Sequence, residues 1–223
     1  MGDFRFVQYL AFKTDSAWRR LPDGERAHGR EEFARELERA AGITTFAYST
    51  LGMKADADLF LWRMSDAPDP LQESLSRLLL TGLGRYLELT HSFIGLIGQS
   101  TYVRRQDSQE QAIFAKDRQR YLIVYPFSKT TEWYLMSKDA RQGMMNEHIR
   151  IGHEFPTVRQ LLVYSTGLDD QEFVVSYETE DLAAFQQLVI ALRDTEARRY
   201  TLRDTPIFTC VYRPLAETLA LLG

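Results

Sequence analysis

The sequence predicts an α+β protein made of two ferredoxin-like (βαββαβ) halves that form a dimeric α+β barrel within one chain. Three observations lead there. The chain repeats itself at an offset of about 115 residues. Each repeat runs through the same succession of hydrophobic periodicities, strand, helix, hairpin, helix, strand. A chain of 223 residues, 44% hydrophobic and 12% aromatic, is long and apolar enough for a core in each half.

The repeat is weak at single positions but ordered. Arg5-Phe6-Val7 through Phe12 runs parallel to Arg120-Tyr121-Leu122 through Phe127, and Trp18 falls opposite Trp133. Phe46-Ala47-Tyr48-Ser49-Thr50 is echoed by Leu162-Val163-Tyr164-Ser165-Thr166. Alternating apolar residues predict opening strands at about 4–12 and 119–127. Phe33, Leu37 and Ala40 then mark one face of a helix, and strands at about 43–51 and 57–64 close a hairpin. The second half repeats this with a helix over about 132–153 and a hairpin of about 158–167 and 170–178 that turns at Gly167-Leu168-Asp169-Asp170. A helix carrying Leu182, Phe185, Leu188, Val189 and Leu192 follows, with Thr179 as its expected cap. The expected organisation is a first half over 1–100 with no cofactor, a linker over 101–117, and a cofactor-binding second half over 118–223.

Charge and composition exclude several functions. A net charge of -4 supplies no basic field for nucleic acid. No stretch is apolar for long enough to span a membrane, and Met1-Gly2-Asp3-Phe4-Arg5-Phe6 fits neither a signal peptide nor myristoylation. Cys210 is the single cysteine, so there is no intrachain disulfide or cysteine zinc site; a buried thiol in a cytoplasmic protein is expected. Gly82-Leu83-Gly84 begins like a dinucleotide fingerprint, but Leu87 stands where the third glycine belongs. His148 and His153 are five apart, about 140° on a helix, and cannot chelate one metal as an i, i+4 pair would.

His148 itself is the strongest candidate for chemistry. It shares a helix face with Ala140, Met144 and Ile151. A histidine on an apolar face is more often a hydrogen-bonded core residue than a ligand. Against that reading, the repeat places Phe33 where the second half has His148, so one copy alone carries a coordinating base. Methionine and isoleucine around it suit a single axial haem ligand better than a hard cation. Tyr125 lies on a strand ended by Pro126, either as a core aromatic or as a rim hydroxyl able to meet a ligand; Lys129 follows on the same edge, where a lysine is nearly always solvated.

The run Tyr125-Pro126-Phe127-Ser128-Lys129, Trp133-Tyr134, Glu147-His148, Gln160 and Gly167-Leu168-Asp169-Asp170 resembles the chlorite dismutase superfamily across the whole second half. The resemblance implies two ferredoxin-like halves, a homo-oligomer that is commonly a pentamer, and haem b or iron coproporphyrin III (coproheme) held through His148. Chlorite dismutases carry an arginine over the iron, five residues before the Ser/Thr-Gly turn. Counting back from Ser165 gives Gln160, with Arg159 one residue off and so on the opposite strand face. A neutral amide lacks the charge that holds an oxychlorine anion. The chain is therefore more similar to coproheme decarboxylases with a distal glutamine, which use hydrogen peroxide. Phe127 departs from them, standing where methionine is usual. The resemblance implies Tyr125 as the radical relay, Lys129 at the reacting propionate, Gln160 beside the oxidant and Trp133 lining the pocket. It implies Glu196 behind His148, and Thr205 with Arg104 or Arg105, the latter preferred, on propionates. Chlorite breakdown and a haem carrier or sensor without turnover are the alternatives.

Overall fold

The alternation in each half becomes strands and the 3.6-residue stripes become helices in the computed structural model, which describes residues 5–98 and 117–223. The described residues fall into two compact units, one of 5–97 with Phe208–Gly223 and the other of 117–207. The first unit runs β1 (Arg5–Thr14), α1 (Asp23–Arg39), β2 (Ile43–Lys54), β3 (Ala57–Ser65), α2 (Pro68–Leu80) and β4 (Leu87–Ile97), which is the βαββαβ order. β1 lies between β3 and β4, both antiparallel to it, with Tyr9 opposite Trp62 on one side and Phe93 on the other. Every residue of β3 is buried, so both of its faces are covered, the charged Asp58 and Arg63 included. One face sends Leu59 and Leu61 into a cluster with Leu10, Phe12, Trp18, Phe33, Leu37, Leu78 and Leu83. The other stacks Trp62 on Tyr9, with ring centroids 6.0 Å apart.

Gly82 and Gly84 do not form a nucleotide loop. A Cβ on Gly82 would come within 2.8 Å of the Gly29 Cα, and one on Gly84 within 1.9 Å of the Leu78 carbonyl oxygen. Gly82 lets the segment after α2 lie backbone to backbone on α1, and Gly84 lets that segment fold back on the last turn of α2.

The second unit runs β5 (Tyr121–Lys129), α3 (Thr131–Leu135), α4 (Lys138–Gly152), β6 (Arg159–Tyr164), β7 (Phe173–Thr179), α5 (Leu182–Arg193), a 3-10 turn (Glu196–Tyr200) and β8 (Thr201–Arg203). β7 is the central strand of an antiparallel trio, paired with β5 and β6. The β6–β7 turn is tight because Gly167 takes φ +77°, a conformation that favours glycine.

Four expectations need correction. The helix over 132–153 is two helices, because Ser137 turns the chain and caps α4, its hydroxyl accepting the Ala140 N–H at 3.2 Å. The cap of α5 is Asp181, which accepts the Ala183 N–H at 2.8 Å; the Thr179 hydroxyl holds Asp181 instead. The chain end belongs with the first unit, where β9 (Phe208–Tyr212) pairs with β2 and α6 (Leu215–Ala220) places Leu219 beside the α1 core. The apolar stripe Leu215, Leu219 and Leu222 needs a surface to cover, and the first unit supplies one. Finally, α4 carries no fully buried residue, so His148 lies half-buried rather than in a closed interior. The expected linker, apart from Asp117, and both Arg104 and Arg105 lie outside the described residues. Cys210 is fully buried.

Candidate functional site

The site is built on one face of the β6–β7–β5 trio. Register fixes which side chains share it: Tyr125 is opposite Val175, itself opposite Leu162, and Ile123 is opposite Tyr177, itself opposite Gln160. Alternation therefore sets Tyr125, Lys129, Tyr177 and Gln160 on the same side. Arg159 points to the other side, where it meets Asp117 at 3.0 Å and stands 3.9 Å from Glu178, beside Arg118. The site face is otherwise apolar, with Val158, Val175, Tyr177 and Leu188 buried and Phe127, Phe155, Phe185 and Leu192 packed against them.

Tyr125 stacks on Tyr177 with ring centroids 6.1 Å apart and planes 29° from parallel. The neighbouring Tyr177 adds to the rise of the Tyr125 pKa, and Tyr125 opposes the rise of Tyr177. Burial is the larger cause in both and keeps both phenols neutral. Asp204 adds to the rise at Tyr125, while Arg193 opposes it. Asp204 in turn accepts hydrogen bonds from Arg198 at 2.7 Å and Arg193 at 3.5 Å.

Lys129 is held rather than solvated. Its ammonium donates to the Ala197 carbonyl at 3.2 Å and to the Thr201 hydroxyl at 3.4 Å, and it lies 4.6 Å from the ring centroid of buried Trp133. Its backbone N–H donates to Glu172 at 2.7 Å. Burial, with the nearby Arg198 charge, brings its pKa down to about 8, and Glu172 works the other way. Trp133 packs on Tyr200, centroids 5.9 Å apart.

His148 stands on α4 with its pKa lowered to about 4, first by burial and then by the Lys129 charge, against an upward pull from Glu147. The imidazole is neutral at physiological pH, the form that binds a metal. The acid whose charge reaches the ring is thus its chain neighbour. Glu196 reaches α4 through its backbone, its N–H donating to the Glu147 carboxylate at 3.3 Å, while its own carboxylate pairs with Arg199 at 3.3 Å. Thr205 is exposed. Among the described residues no cluster of three His, Cys, Asp or Glu side chains could hold a metal ion. Tyr177, Thr201 and the Arg193–Asp204–Arg198 cluster are absent from the sequence reading. Tyr177 alone had a signal there, its alternation with Phe173 and Val175.

The second unit thus carries a neutral imidazole on α4, and a held lysine, a tyrosine and an amide on one sheet face. The sequence profile of the chlorite dismutase family matches residues 24–213, and the chain belongs to that family. It is 31% identical over 212 residues to the coproheme decarboxylase of Mycolicibacterium smegmatis, covering 91% of this chain and 89% of that protein. It is 27% identical over 206 residues to the chlorite dismutase of Ideonella dechloratans, covering 89% of this chain and 72% of that one. The chlorite dismutase of Candidatus Nitrospira defluvii in complex with imidazole superposes with a TM-score of 0.90 at 29% identity, covering 98% of this chain and 94% of that one. Among the described residues no helix is long and apolar enough to cross a membrane.

Proposed function

We propose that this protein is a coproheme decarboxylase that uses hydrogen peroxide to convert two propionates of iron coproporphyrin III into vinyl groups, giving haem b. The observation that carries the reading is the shared sheet face of Tyr125, Lys129 and Gln160, with Arg159 turned away. The 31% identity to a coproheme decarboxylase supports it. The residues also fit a porphyrin: a neutral imidazole on a helix with no fully buried residue offers a ligand and a half-covered apolar surface for a flat macrocycle.

Each decarboxylation of an ionised propionate releases one carbon dioxide, two electrons and one proton, and one peroxide takes these up with a second proton from solution to form two waters. Bound coproheme supplies both the carboxylates and the redox centre. His148 would hold the iron, with Glu147 or Glu196 as the acid behind it. Tyr125 would give up its hydroxyl hydrogen to the peroxide-oxidised porphyrin centre and then take a hydrogen from the propionate, restoring the phenol; the second electron, freed as the bond to the carboxylate breaks, would pass to the same centre. Lys129, fixed by Ala197, Thr201 and Trp133, would orient the propionate carboxylate. Gln160 would hydrogen-bond the oxidant, and Thr205, with Arg105, would bind other propionates.

Mass spectrometry of the porphyrin after iron coproporphyrin III and peroxide are added to the protein tests the reading. Two successive losses of a carboxyl group are expected. An unchanged or bleached porphyrin would sink it, and oxygen evolution from chlorite would then favour the activity named for the Ideonella relative.

A further inference from the structure

We infer that the first unit holds an oxyanion-binding site of its own, in the hollow between the end of β1 and the β2–β3 turn, where Lys13, Arg19 and Lys54 take a phosphate or carboxylate group. The inference is independent of the decarboxylase reading. The hollow has a volume of about 620 Å³ and is lined by these three cations, Asp58 and the turn residues 51–55. Asp58 is its template. Its side chain is 1% exposed, its Oδ1 accepts the Lys13 ammonium at 2.9 Å, and its Oδ2 accepts the Thr14 N–H at 3.0 Å. The Arg19 guanidinium stands 4.0 Å from the same Oδ2. One buried carboxylate thus fixes two cations side by side and can neutralise only one of them. Lys54 enters from the turn, its ammonium 5.2 Å from the Phe208 ring centroid. Cations gathered in a hollow concentrate their field on an anion that enters it, and a guanidinium beside ammonium groups suits an oxyanion.

Surface cations are ordinarily there to be solvated. The duplication supplies the control that separates such cations from a site. In the second unit Glu172 accepts the Lys129 N–H at 2.7 Å, just as Asp58 accepts that of Thr14. The two acids are equivalent by register, since each precedes the residue that faces the phenylalanine of the opening strand, Leu59 opposite Phe12 and Phe173 opposite Phe127. The two turns are equivalent as well, with Gly52 at φ +76° and Gly167 at φ +77°. At the same offset of 115 residues, Ser128 stands for Lys13, Tyr134 for Arg19 and Asp169 for Lys54. The second copy therefore builds the same acid brace and the same turn with none of the three cations. The fold does not require them, and placing three like charges around one hollow costs stability through their repulsion. An anion bound between them removes that cost.

The test is calorimetric titration of the full-length protein with inorganic phosphate and, separately, with the tricarboxylate tricarballylate, at fixed pH and ionic strength. The unsubstituted protein is compared with Arg19→Gln, Lys54→Gln and, as a control on an exposed α1 cation outside the hollow, Arg35→Gln. Both hollow variants keep Asp58 and Lys13, so their melting temperatures without probe are expected to match that of the unsubstituted protein, and either one alone decides the matter if the other does not fold. Saturable binding of at least one probe is expected, weakened about fivefold in each hollow variant and unchanged in the control. Which probe binds more tightly distinguishes a phosphate-bearing ligand from a carboxylate-bearing one. Absence of saturable binding by both probes overturns the inference. Binding that survives undiminished in both hollow variants also overturns it, because the anion then sits elsewhere, the porphyrin site of the second unit included.

Discussion

Helices α1 and α4 occupy the same place in the two repeats and are built to opposite ends. On α1 the face of Gly29, Phe33 and Leu37 is fully buried, and Phe33 is 1% exposed beneath the sheet and the segment after α2. The offset of about 115 residues puts Met144, His148 and Gly152 at those positions on α4, where nothing is fully buried. One copy of the duplicated unit buries this face in its core, and the other leaves it half covered. Apolar surface that is only half covered in the protein alone contributes less to its fold and more to what it binds.

The comparison can be broken most severely at its centre. His148→Phe gives the second unit the first unit's residue, and iron coproporphyrin affinity, read by absorption titration, should fall more than about a hundredfold while the fold is kept; second-sphere losses alone commonly cost 10- to 100-fold. Retained affinity would remove His148 as the ligand. Next in size is the difference in packing. Phe33→Ala should cost about 3–5 kcal/mol in urea unfolding, whereas Met144→Ala, on a face without full burial, should cost about 1 kcal/mol. Equal losses would mean that the two faces are equally part of the core.

A smaller effect concerns the distal side. Gln160→Arg places a cation on the face that Arg159 avoids, and nitrite, as a stand-in for an oxychlorine anion, should bind the porphyrin-loaded variant about fivefold more tightly. The smallest effect is in pH. Lys129 titrates near 8 when folded against 10.5 ordinarily, so between these values the unfolded chain binds more protons than the folded one. Stability should rise with pH across that window and lie at its lower level below pH 8, and Lys129→Met should flatten the slope in thermal melts.

Much of the architecture was legible because the repeat doubles every weak signal: Phe33 and Leu37 pointed to a helix that the same offset finds again at α4. The face shared by Tyr125, Lys129 and Gln160 was half legible. Alternation gives parity along one strand, but only the register of β5 and β6 against β7 brings Gln160 and Tyr125 onto one side. Held Lys129 was not readable at all, because its partners Ala197 and Thr201 lie about 70 residues away and one of them is a backbone carbonyl, which no residue type announces. The break at Ser137 was missed because the helical stripe continues across it, and the capping hydroxyl decides where the helix restarts. Fixing the chain end in the second half also misled, since β9 and α6 follow the apolar surface available to them rather than their place in the repeat.

The central claim, that Tyr125 on this face carries the oxidation of coproheme propionates, is met most directly by measuring carbon dioxide released from propionate-labelled coproheme and peroxide by the unsubstituted protein and by Tyr125→Phe. Two equivalents per porphyrin from the first and none from the second, with porphyrin binding equal in both, is the predicted result. Carbon dioxide from the variant at an undiminished rate, or none from either protein, would contradict it.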